Sequence, residues 1–324
     1  MLGHLEARIS DEFRGQRLDQ ALAALFPDFS RTRLKSWIDA GLVLVDGRVL
    51  RPKDLVSGGE LVQVTPDIQA VVPVEPEAIA LNMIHEDPAF FVINKPAGLV
   101  VHPGAGNPRA TLQNALLHKD PALSQLPRAG IVHRLDRETS GLLVVARTLE
   151  AHTALTRALA SHDVKRVYEA VAIGVMTAGG TVNAPIDRHP IDRLRMAVRG
   201  HGREAITHYR VIERFRIHTH VRVELETGRT HQIRVHLEHA GFPLVGDPLY
   251  GRRLVIPKGA TPGVDLVLRE FRRQALHAAK LAFEHPVSHE LVEFEAPLPA
   301  DFAGLLAALR ADVVAAKAAA RPRF

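Results

Sequence analysis

The apolar run Leu142 to Ala146 constrains the fold more than any other stretch of the chain. Five consecutive apolar residues, preceded by Gly141, predict a short buried strand. Just before this strand, Asp136 lies between Arg134 and Arg137. Nearby positive charge keeps a carboxylate ionised. Asp136 is therefore either a nucleophile or base, or one half of an ion pair that fixes a loop.

The composition excludes several classes of chemistry. The chain has 324 residues, 46% of them hydrophobic and 24% charged, which is enough for one large domain or two unequal ones. It contains no cysteine, so disulfides, thiolate nucleophiles and zinc sites with cysteine ligands, including those of the zinc deaminases, are excluded.

Neither end of the chain predicts a targeting or membrane segment. Residues 1–13 lack the apolar core of a secretory signal. The apolar segment 302–320 contains Arg310, Asp312 and Lys317, which favours an amphipathic helix over a membrane span. We expect a cytoplasmic protein that acts as a monomer away from membranes.

The charge distribution indicates an anionic partner. The net charge is +5 and the sequence pI is about 9.7, and nucleic acid is the commonest partner of a basic protein. Between Arg188 and Arg216 there are eight arginines and three acids. This segment is either part of a nucleic-acid surface or a solvated basic face.

Residues 16–64 predict a small module of their own. Leu18, Leu22 and Leu25 have helical spacing, and a second helix with Ser30 as N-cap has Leu34, Trp37 and Ile38 on its inner side. Short strands are predicted at 42–45 and 61–64, with an Asp-Gly and a Ser-Gly-Gly turn between them.

The motifs of this module resemble the S4 RNA-binding domain. They are Arg17-Leu-Asp19, Ser30-Arg31, the run from Gly41 to Gly47, and Gly58-Gly-Glu60. In that family, RNA binds to the outer face of the second helix and the following loop. The resemblance places RNA contacts at Arg31, Arg33, Lys35, Arg48, Arg51 and Lys53. The alternative is a small helical cap on the next domain.

The chain therefore predicts an S4-like domain at 1–65, a proline-rich extended linker at 66–79 and a catalytic domain at 80–324. In the third part, helices are predicted at 111–118 and 151–160, and strands at 90–94, 164–175 and 221–227. Strands outnumber helices and few parallel βαβ units can be drawn. The expected fold class is α+β, with a mostly antiparallel mixed sheet flanked by helices and loops.

Two further segments contain candidate functional residues. Tyr168 follows Lys165 and Arg166 on a predicted strand, where a ring beside basic residues can stack on an unpaired base or simply pack in the core. Arg234 is predicted in the first turn of a short helix with Thr230 as N-cap and Gly241 after its end, a rigid position for a donor to a carboxylate or phosphate.

The histidines of the same segment do not predict a metal site. His231, His236 and His239 have no HExxH arrangement and no cysteine or acid cluster to complete a coordination shell. We therefore expect no metal.

Six motifs in order resemble the RluA-type pseudouridine synthases. They are the run from Ile93 to Gly98 with Val101-His-Pro-Gly104; Gly130 with His133-Arg-Leu-Asp136 and Thr139-Ser-Gly-Leu142; Arg166-x-Tyr168-x-Ala170; Gly228-Arg-Thr-His-Gln-Ile-Arg-Val-His236; Gly246-Asp-Pro-x-Tyr-Gly251; and Arg273-Gln-Ala-Leu-His-Ala278. The S4-like module, His102-Pro-Gly-Ala-Gly-Asn107, Gly179-Gly-Thr181 and the loop from Arg188 to Val198 are most similar to the subgroup that modifies the helix 69 stem-loop of 23S ribosomal RNA.

The resemblance implies a reaction and a set of site residues. Uridine in RNA becomes pseudouridine: the N-glycosidic bond breaks, the uracil rotates, and C5 joins C1′ without any cofactor. Asp136 is the implied nucleophile, or the group that assists base loss and removes a proton at C2′. Tyr168 is implied to stack on the flipped base and to take the C5 proton late in the reaction, and Arg234 to pair with Asp136 and orient it. Ribosomal RNA, or the assembling large subunit, is the implied partner, held by the S4-like module and by Arg134, Arg188, Arg193 and Arg195.

Two other function classes stay open from the sequence. One is a non-enzymatic RNA-binding factor in ribosome assembly that keeps the fold. The other is a nucleoside or glycoside hydrolase that uses a pair of carboxylates and releases free base.

Overall fold

The computed structural model describes residues 5–27, 29, 31–65, 74–104, 106–251 and 254–320, with the side chain of Thr32 left out. The chain divides into two compact units, residues 1–73 and residues 74–324. Each unit has a hydrophobic core of its own.

In the first unit, two helices pack on a small antiparallel sheet. The helices are α1 (Leu18–Leu25) and α2 (Arg31–Asp39), and the strands are β1 (Leu5–Arg8), β2 (Val43–Val45), β3 (Arg48–Val49) and β4 (Leu61–Val64), in the order β1-β4-β2-β3. Of the predicted inner residues of the two helices, Leu18, Leu22, Leu34, Trp37 and Ile38 are buried, and Leu25 is partly buried. The predicted N-cap Ser30 lies outside the described residues.

The second unit is built on one large sheet. Its strands are β5 (Met83–Glu86), β6 (Phe90–Lys95), β7 (Ser140–Ala146), β8 (Lys165–Ile173), β9 (Gly180–Asn183), β10 (Ile186–Arg188), β11 (Met196–Val198), β12 (Ile206–Arg214), β13 (His218–Leu225), β14 (Leu276–Glu284) and β15 (Leu291–Glu295). The strand order is β5-β6-β7-β14-β8-β13-β12-β9, β15 also pairs with β14, and β10 and β11 form a separate hairpin. Among the described strands, only β7 and β14 pair in parallel. The predicted α+β class with a mostly antiparallel mixed sheet is confirmed.

Among the described residues, five α-helices accompany this sheet: α3 (Leu112–Lys119), α4 (Leu149–Ala160), α5 (Gln232–His239), α6 (Pro262–Glu270) and α7 (Ala300–Ala319). The helices predicted at 111–118 and 151–160 are therefore present, and Thr111 is the N-cap of the first. The structure places α7 over the predicted amphipathic segment, with Phe302, Leu305, Leu306 and Leu309 buried. Within the described ranges, no helix is long and apolar enough to cross a membrane.

The sheet explains the apolar run that forms the second part of β7. All seven residues of β7 are buried, because side chains of alternating residues enter two different cores. Leu143 and Val145 pack in the core that includes residues of α3 and α5, whereas Leu142 and Val144 pack with residues of α4. Strand β7 therefore lies between two hydrophobic cores of the unit. The segment immediately before it, which contains Asp136, is held in place by this buried strand.

Candidate active site

The segment that contains Asp136 is fixed on one side by a buried lysine. Lys95, at the end of β6, is fully buried, and its Nζ donates to the carbonyl oxygens of Pro96, Leu99 and Arg137 at 2.8, 3.0 and 3.0 Å. The amide of Gly98 donates to the same Arg137 oxygen at 2.9 Å. Burial lowers the pKa of Lys95 to about 7, against the charges of Glu138 and Asp136, which raise it.

A neutral histidine fixes the other side of the segment. The Nε2 atom of His133 accepts a hydrogen bond from the Val144 amide of β7 at 3.1 Å. Burial and the nearby Arg166 charge lower the pKa of His133 to about 3. The imidazole is therefore neutral at physiological pH, as its role as acceptor requires. The loop around Asp136 is thus attached to strands β6 and β7.

Arg234 connects Asp136 to a second carboxylate. Its Nη1 donates to Asp136 Oδ2 at 2.9 Å, while Nε and Nη2 donate to Asp247 Oδ2 and Oδ1 at 2.7 and 2.8 Å. Arg234 is 4% exposed, the side chain of Asp247 is fully buried, and the side chain of Asp136 is 17% exposed. Asp136 is therefore the carboxylate of the trio that a ligand can reach.

The charges of this trio are mutually stabilised. Burial favours the neutral form of Arg234, but the hydrogen bonds and charges of Asp247 and Asp136 outweigh it and raise its pKa. Burial also disfavours the charged form of Asp247, but the Arg234 contacts and the amides of Tyr250 and Leu249 lower the pKa of Asp247 overall. Arg234 and Asp247 are therefore a charged pair at neutral pH, and Asp136 is hydrogen-bonded to that pair.

The start of α5 differs from the prediction. Arg234 does lie in the first turn, but the N-cap is His231, in a left-handed conformation with φ of +58° and without a side-chain cap. The prediction of Thr230 as N-cap is wrong. The side chain of His231 instead bonds Tyr250, which is a tertiary contact that no local cap pattern reveals. Gly241 follows the helix with φ of +87°, as predicted.

Tyr250 links this network to the arginine-rich hairpin of β10 and β11. Its hydroxyl accepts from the Met196 amide at 2.7 Å and bonds His231 Nδ1 at 2.8 Å. The guanidinium groups of Arg234 and Arg195 lie 4.9 and 5.1 Å from the centre of its ring. Arg195 and Arg234 thus each form a cation–π contact with the Tyr250 ring, and this shared ring connects Arg195 to the network.

These elements border a pocket of about 530 Å³ in the second unit. Among the described residues that line it, Asp136 is the one carboxylate, and the arginines are Arg128, Arg134, Arg166, Arg203, Arg229 and Arg234. The pocket places a single ionised acid within a strongly positive surface. Such a pocket suits a polyanion with a reacting group presented to Asp136.

Tyr168 also lines the pocket. It lies on β8, is 6% exposed, and pairs with Val223 of β13 and Ala278 of β14 in the sheet. Burial raises the pKa of Tyr168, and the charge of Asp136 adds to this, whereas Arg166 opposes it. The side chain is therefore a neutral phenol at physiological pH.

The structure separates the predicted RNA-binding residues into three groups. Arg134 is exposed and lines the pocket. Arg188, Arg193 and Arg195 lie outside its lining, on and between β10 and β11. The candidates of the first unit lie on α2 and around β3, where Arg31, Lys35 and Arg51 form ion pairs with Asp19, Asp39 and Asp54.

Sequence reasoning assigned no role to four residues that shape the site. They are Lys95, His133, Asp247 and Tyr250. Each lies within a motif that was recognised as a whole. The sequence did contain a signal for Asp247. The acid of Gly246-Asp-Pro follows the predicted helix of Arg234 closely enough along the chain for the two side chains to form an ion pair.

Comparisons with known proteins agree with this architecture. The family model described as RNA pseudouridylate synthase matches residues 89–239, and the S4 domain model matches residues 16–62. Ribosomal large subunit pseudouridine synthase D of Xanthomonas campestris pv. campestris is 56% identical over 316 residues, which cover 98% of this chain and 96% of that protein. The chain therefore belongs to the RNA pseudouridylate synthase family, and the predicted resemblance is confirmed.

Further relatives have the same name. The synthases D of Escherichia coli strain K12 and Pseudomonas aeruginosa are each 54% identical, over 95% and 94% of this chain and 95% and 96% of their own lengths. Two solved structures also resemble the chain at 26% identity. Human RNA Pseudouridylate Synthase Domain Containing 1 has a TM-score of 0.54 over 69% of this chain and 85% of its own, and Domain Containing 4 has 0.55 over 71% and 93%.

Proposed function

We propose that this chain converts uridine to pseudouridine in the 23S RNA of the large ribosomal subunit, at the helix 69 stem-loop, with Asp136 as the catalytic carboxylate. The observation that carries the proposal is the Asp136–Arg234–Asp247 network, which exposes one ionised acid to a pocket lined by six arginines. The names of the relatives support large-subunit RNA as the substrate.

The reaction needs little from the protein beyond position and charge. Asp136 either attacks C1′ as a nucleophile or assists departure of the base and removes a proton at C2′. In both routes the carboxylate is the reactive form, and the adjacent Arg234 guanidinium donates to its Oδ2 at 2.9 Å. Arg234 also fixes the direction of the carboxylate, since its own guanidinium is fixed by Asp247.

The target base must leave the RNA stack to reach this depth. Tyr168 provides a ring on which the uracil can stack, and the exposed Arg134 lies beside the pocket to contact the displaced backbone. The hairpin with Arg188, Arg193 and Arg195 and the basic residues of the first unit, among them Arg31, Arg33, Lys35, Arg48, Arg51 and Lys53, would bind the surrounding RNA.

The pocket also argues against a hydrolase. Glycoside hydrolases use two carboxyl groups about 5 to 9.5 Å apart on either side of the bond. Among the described lining residues there is one. Retention of the base therefore fits the site better than release of free uracil.

Substitution of Asp136 by asparagine tests the proposed role directly. Asp136→Asn keeps the size of the side chain and one acceptor for Arg234 but cannot act as nucleophile or base. We expect pseudouridine formation in a helix 69 transcript to fall below detection while the RNA dissociation constant changes less than about tenfold. Turnover at the wild-type rate would rule Asp136 out.

The target is tested in cells. Pseudouridines in 23S RNA are mapped in cells with the protein, without it, and with Asp136→Asn. Loss of helix 69 modification in the second and third strains is the expected result. An unchanged map in the strain that lacks the protein would reject the proposed function.

A further inference from the structure

Arg166 is a buried cation in the pocket without a carboxylate partner. It lies on β8, is 8% exposed and lines the pocket. Its Nη2 donates to the Glu226 carbonyl oxygen at 3.0 Å, whereas its Nε is buried without a hydrogen-bond partner among the described residues. Over the same residues, none of its nitrogens lies within 4 Å of a carboxylate.

This arrangement is costly in the free protein. A buried charge is normally paired, and a buried donor that is left without a partner destabilises the folded protein. Residue 228 is a glycine, and this leaves room for the guanidinium, because a Cβ there would lie 2.7 Å from Arg166 Nη1. Both features indicate that the guanidinium serves a ligand that enters the pocket.

Two anionic groups of an RNA substrate could meet a guanidinium: a backbone phosphate or the uracil itself as it leaves C1′. Arg128, Arg134 and Arg203 line the same pocket and are exposed, so they are placed for phosphates that remain near solvent. Arg166 is buried and two residues from Tyr168, so both side chains project from the same face of β8. The buried guanidinium and the ring proposed to stack on the base therefore line the same pocket from one face of β8.

The chemistry of the proposed reaction requires a group at this place. When the C1′–N1 bond breaks, its electron pair leaves with the uracil and is delocalised from N1 to the carbonyl oxygens. The base then rotates, C5 bonds to C1′, the C5 proton is lost, and N1 gains a proton, so the product is an isomer of the substrate. The geometry points to Arg166 as the residue that donates to a uracil carbonyl oxygen and stabilises the negative charge on the detached base.

This inference rests on the proposed function and adds a catalytic residue to it. A fixed donor in a site shielded from water is effective because it needs no reorganisation as charge develops. It applies to both routes for Asp136, since uracil departs with the bonding electrons in each. A cation at the base also helps to retain the detached uracil until C5 is in position.

The test is a single-turnover assay at saturating enzyme on a helix 69 transcript, together with a binding titration. Arg166→Gln should lower the rate of pseudouridine formation by about 10²- to 10³-fold, with a small change in dissociation constant. Arg166→Lys should recover part of the rate. Arg214→Gln is the matched control, because Arg214 also donates to main-chain carbonyls, of Met176 and Thr177, but does not line the pocket.

A second substrate distinguishes the base from a phosphate. Fluorine at C5 withdraws electrons and stabilises the uracil anion, so the departure of 5-fluorouracil should depend less on Arg166. We expect the Arg166→Gln penalty on cleavage of the glycosidic bond to be at least tenfold smaller for a transcript with 5-fluorouridine at the target. An equal penalty on both substrates, or weaker binding with an unchanged saturating rate, would overturn the inference in favour of a phosphate contact.

Gly228→Ala covers the case in which Arg166→Gln fails to fold, and a double-mutant cycle is measured where Arg166→Gln folds. Gly228→Ala displaces the guanidinium without removing it and should lower the rate with uridine more than with 5-fluorouridine. In the Arg166→Gln background, the same alanine should have no further effect. A wild-type protein that forms no pseudouridine would instead refute the proposed function, whereas active wild type with fully active Arg166→Gln and Gly228→Ala would refute this inference alone.

Discussion

Arg234 uses all three of its donor atoms, and only one of them faces Asp136. Nε and Nη2 form a bidentate pair with Asp247, which also accepts from the amides of Leu249 and Tyr250. Bidentate pairs of this kind fix direction as well as distance. The position of the Asp136 carboxylate is therefore determined through Arg234 by a second acid, Asp247, whose side chain is fully buried.

Asp247→Asn tests this dependence. The amide leaves the guanidinium with a poorer partner, and breaking a buried ion pair costs about 3 to 5 kcal/mol of unfolding free energy. We expect the saturating rate to fall by about 10- to 100-fold with a smaller change in KM. Urea denaturation and single-turnover kinetics measure the two effects.

The control for Asp247→Asn is Asp265→Asn, which removes an exposed pair with Arg269 one helical turn away. That change should leave both the unfolding free energy and the rate close to those of the wild type, because exposed ion pairs contribute little. If both substitutions had equal effects, Asp247 would not position Arg234.

At the scale of elements, the loop of Asp136 depends on two strands. Lys95 attaches it to the end of β6 through three carbonyl oxygens, and His133 attaches it to β7. Gly141, at the start of β7, has φ of +114°, and a Cβ there would lie 2.2 Å from the Ala278 oxygen, so β7 and β14 approach closely only because this residue is glycine. The local geometry of the site is thus a property of the sheet.

The buried Lys95 predicts a pH-dependent stability. Its pKa in the folded protein, about 7, lies below the usual 10.5, so between these values the unfolded chain binds the proton and the folded chain does not. The stability of the wild type relative to Lys95→Met should therefore rise with pH from about 7 to 10, by about 1.4 kcal/mol per unit at most.

Denaturant unfolding of both proteins at pH 6.5, 8 and 9.5 measures this difference. The control is Lys165→Met, which removes an exposed lysine from β8. Its unfolding free energy at the same three pH values gives the pH dependence that comes from the other titratable groups. A difference between wild type and Lys95→Met that falls as the pH rises would contradict the prediction.

At the scale of the whole molecule, the protein combines the carboxylate of Asp136 with cations that are distributed over both units. The S4-like unit contains Arg48 and Lys53, which are exposed and have no ion pair within 4 Å in the described part of the chain, unlike Arg31, Lys35 and Arg51. A lysine or arginine that is not already paired with a carboxylate can bind an RNA phosphate and displace the counterion held there. The contribution of this unit to binding should appear in the salt dependence.

The double substitution Arg48→Gln and Lys53→Gln should lower the slope of log affinity against log salt by about 1.5, which corresponds to two phosphate contacts. Titrations of a helix 69 transcript from 50 to 200 mM salt measure it. Arg14→Gln is the control, because Arg14 is equally exposed but paired with Asp11. An unchanged slope in the double variant would favour a helical cap over an RNA-binding role.

The sequence by itself determined what depends on neighbours along the chain. The spacing of Leu18 and Leu22 predicted α1, the uninterrupted run 142–146 predicted the fully buried β7, and ordered motifs predicted the family and the three residues Asp136, Tyr168 and Arg234. These signals can be read along the chain because helices and strands have fixed periods, and because each motif is a short run of consecutive residues.

Only the tertiary structure decided how those residues meet. Arg234 and Asp136 are 98 residues apart, His231 caps α5 in place of Thr230 because its ring bonds Tyr250, and Lys95 is buried under the loop it holds. The unpaired guanidinium of Arg166 likewise becomes visible only when its surroundings are known. Burial and pairing depend on which strands become neighbours in the sheet, and that order follows from the packing of the entire unit rather than from any one segment.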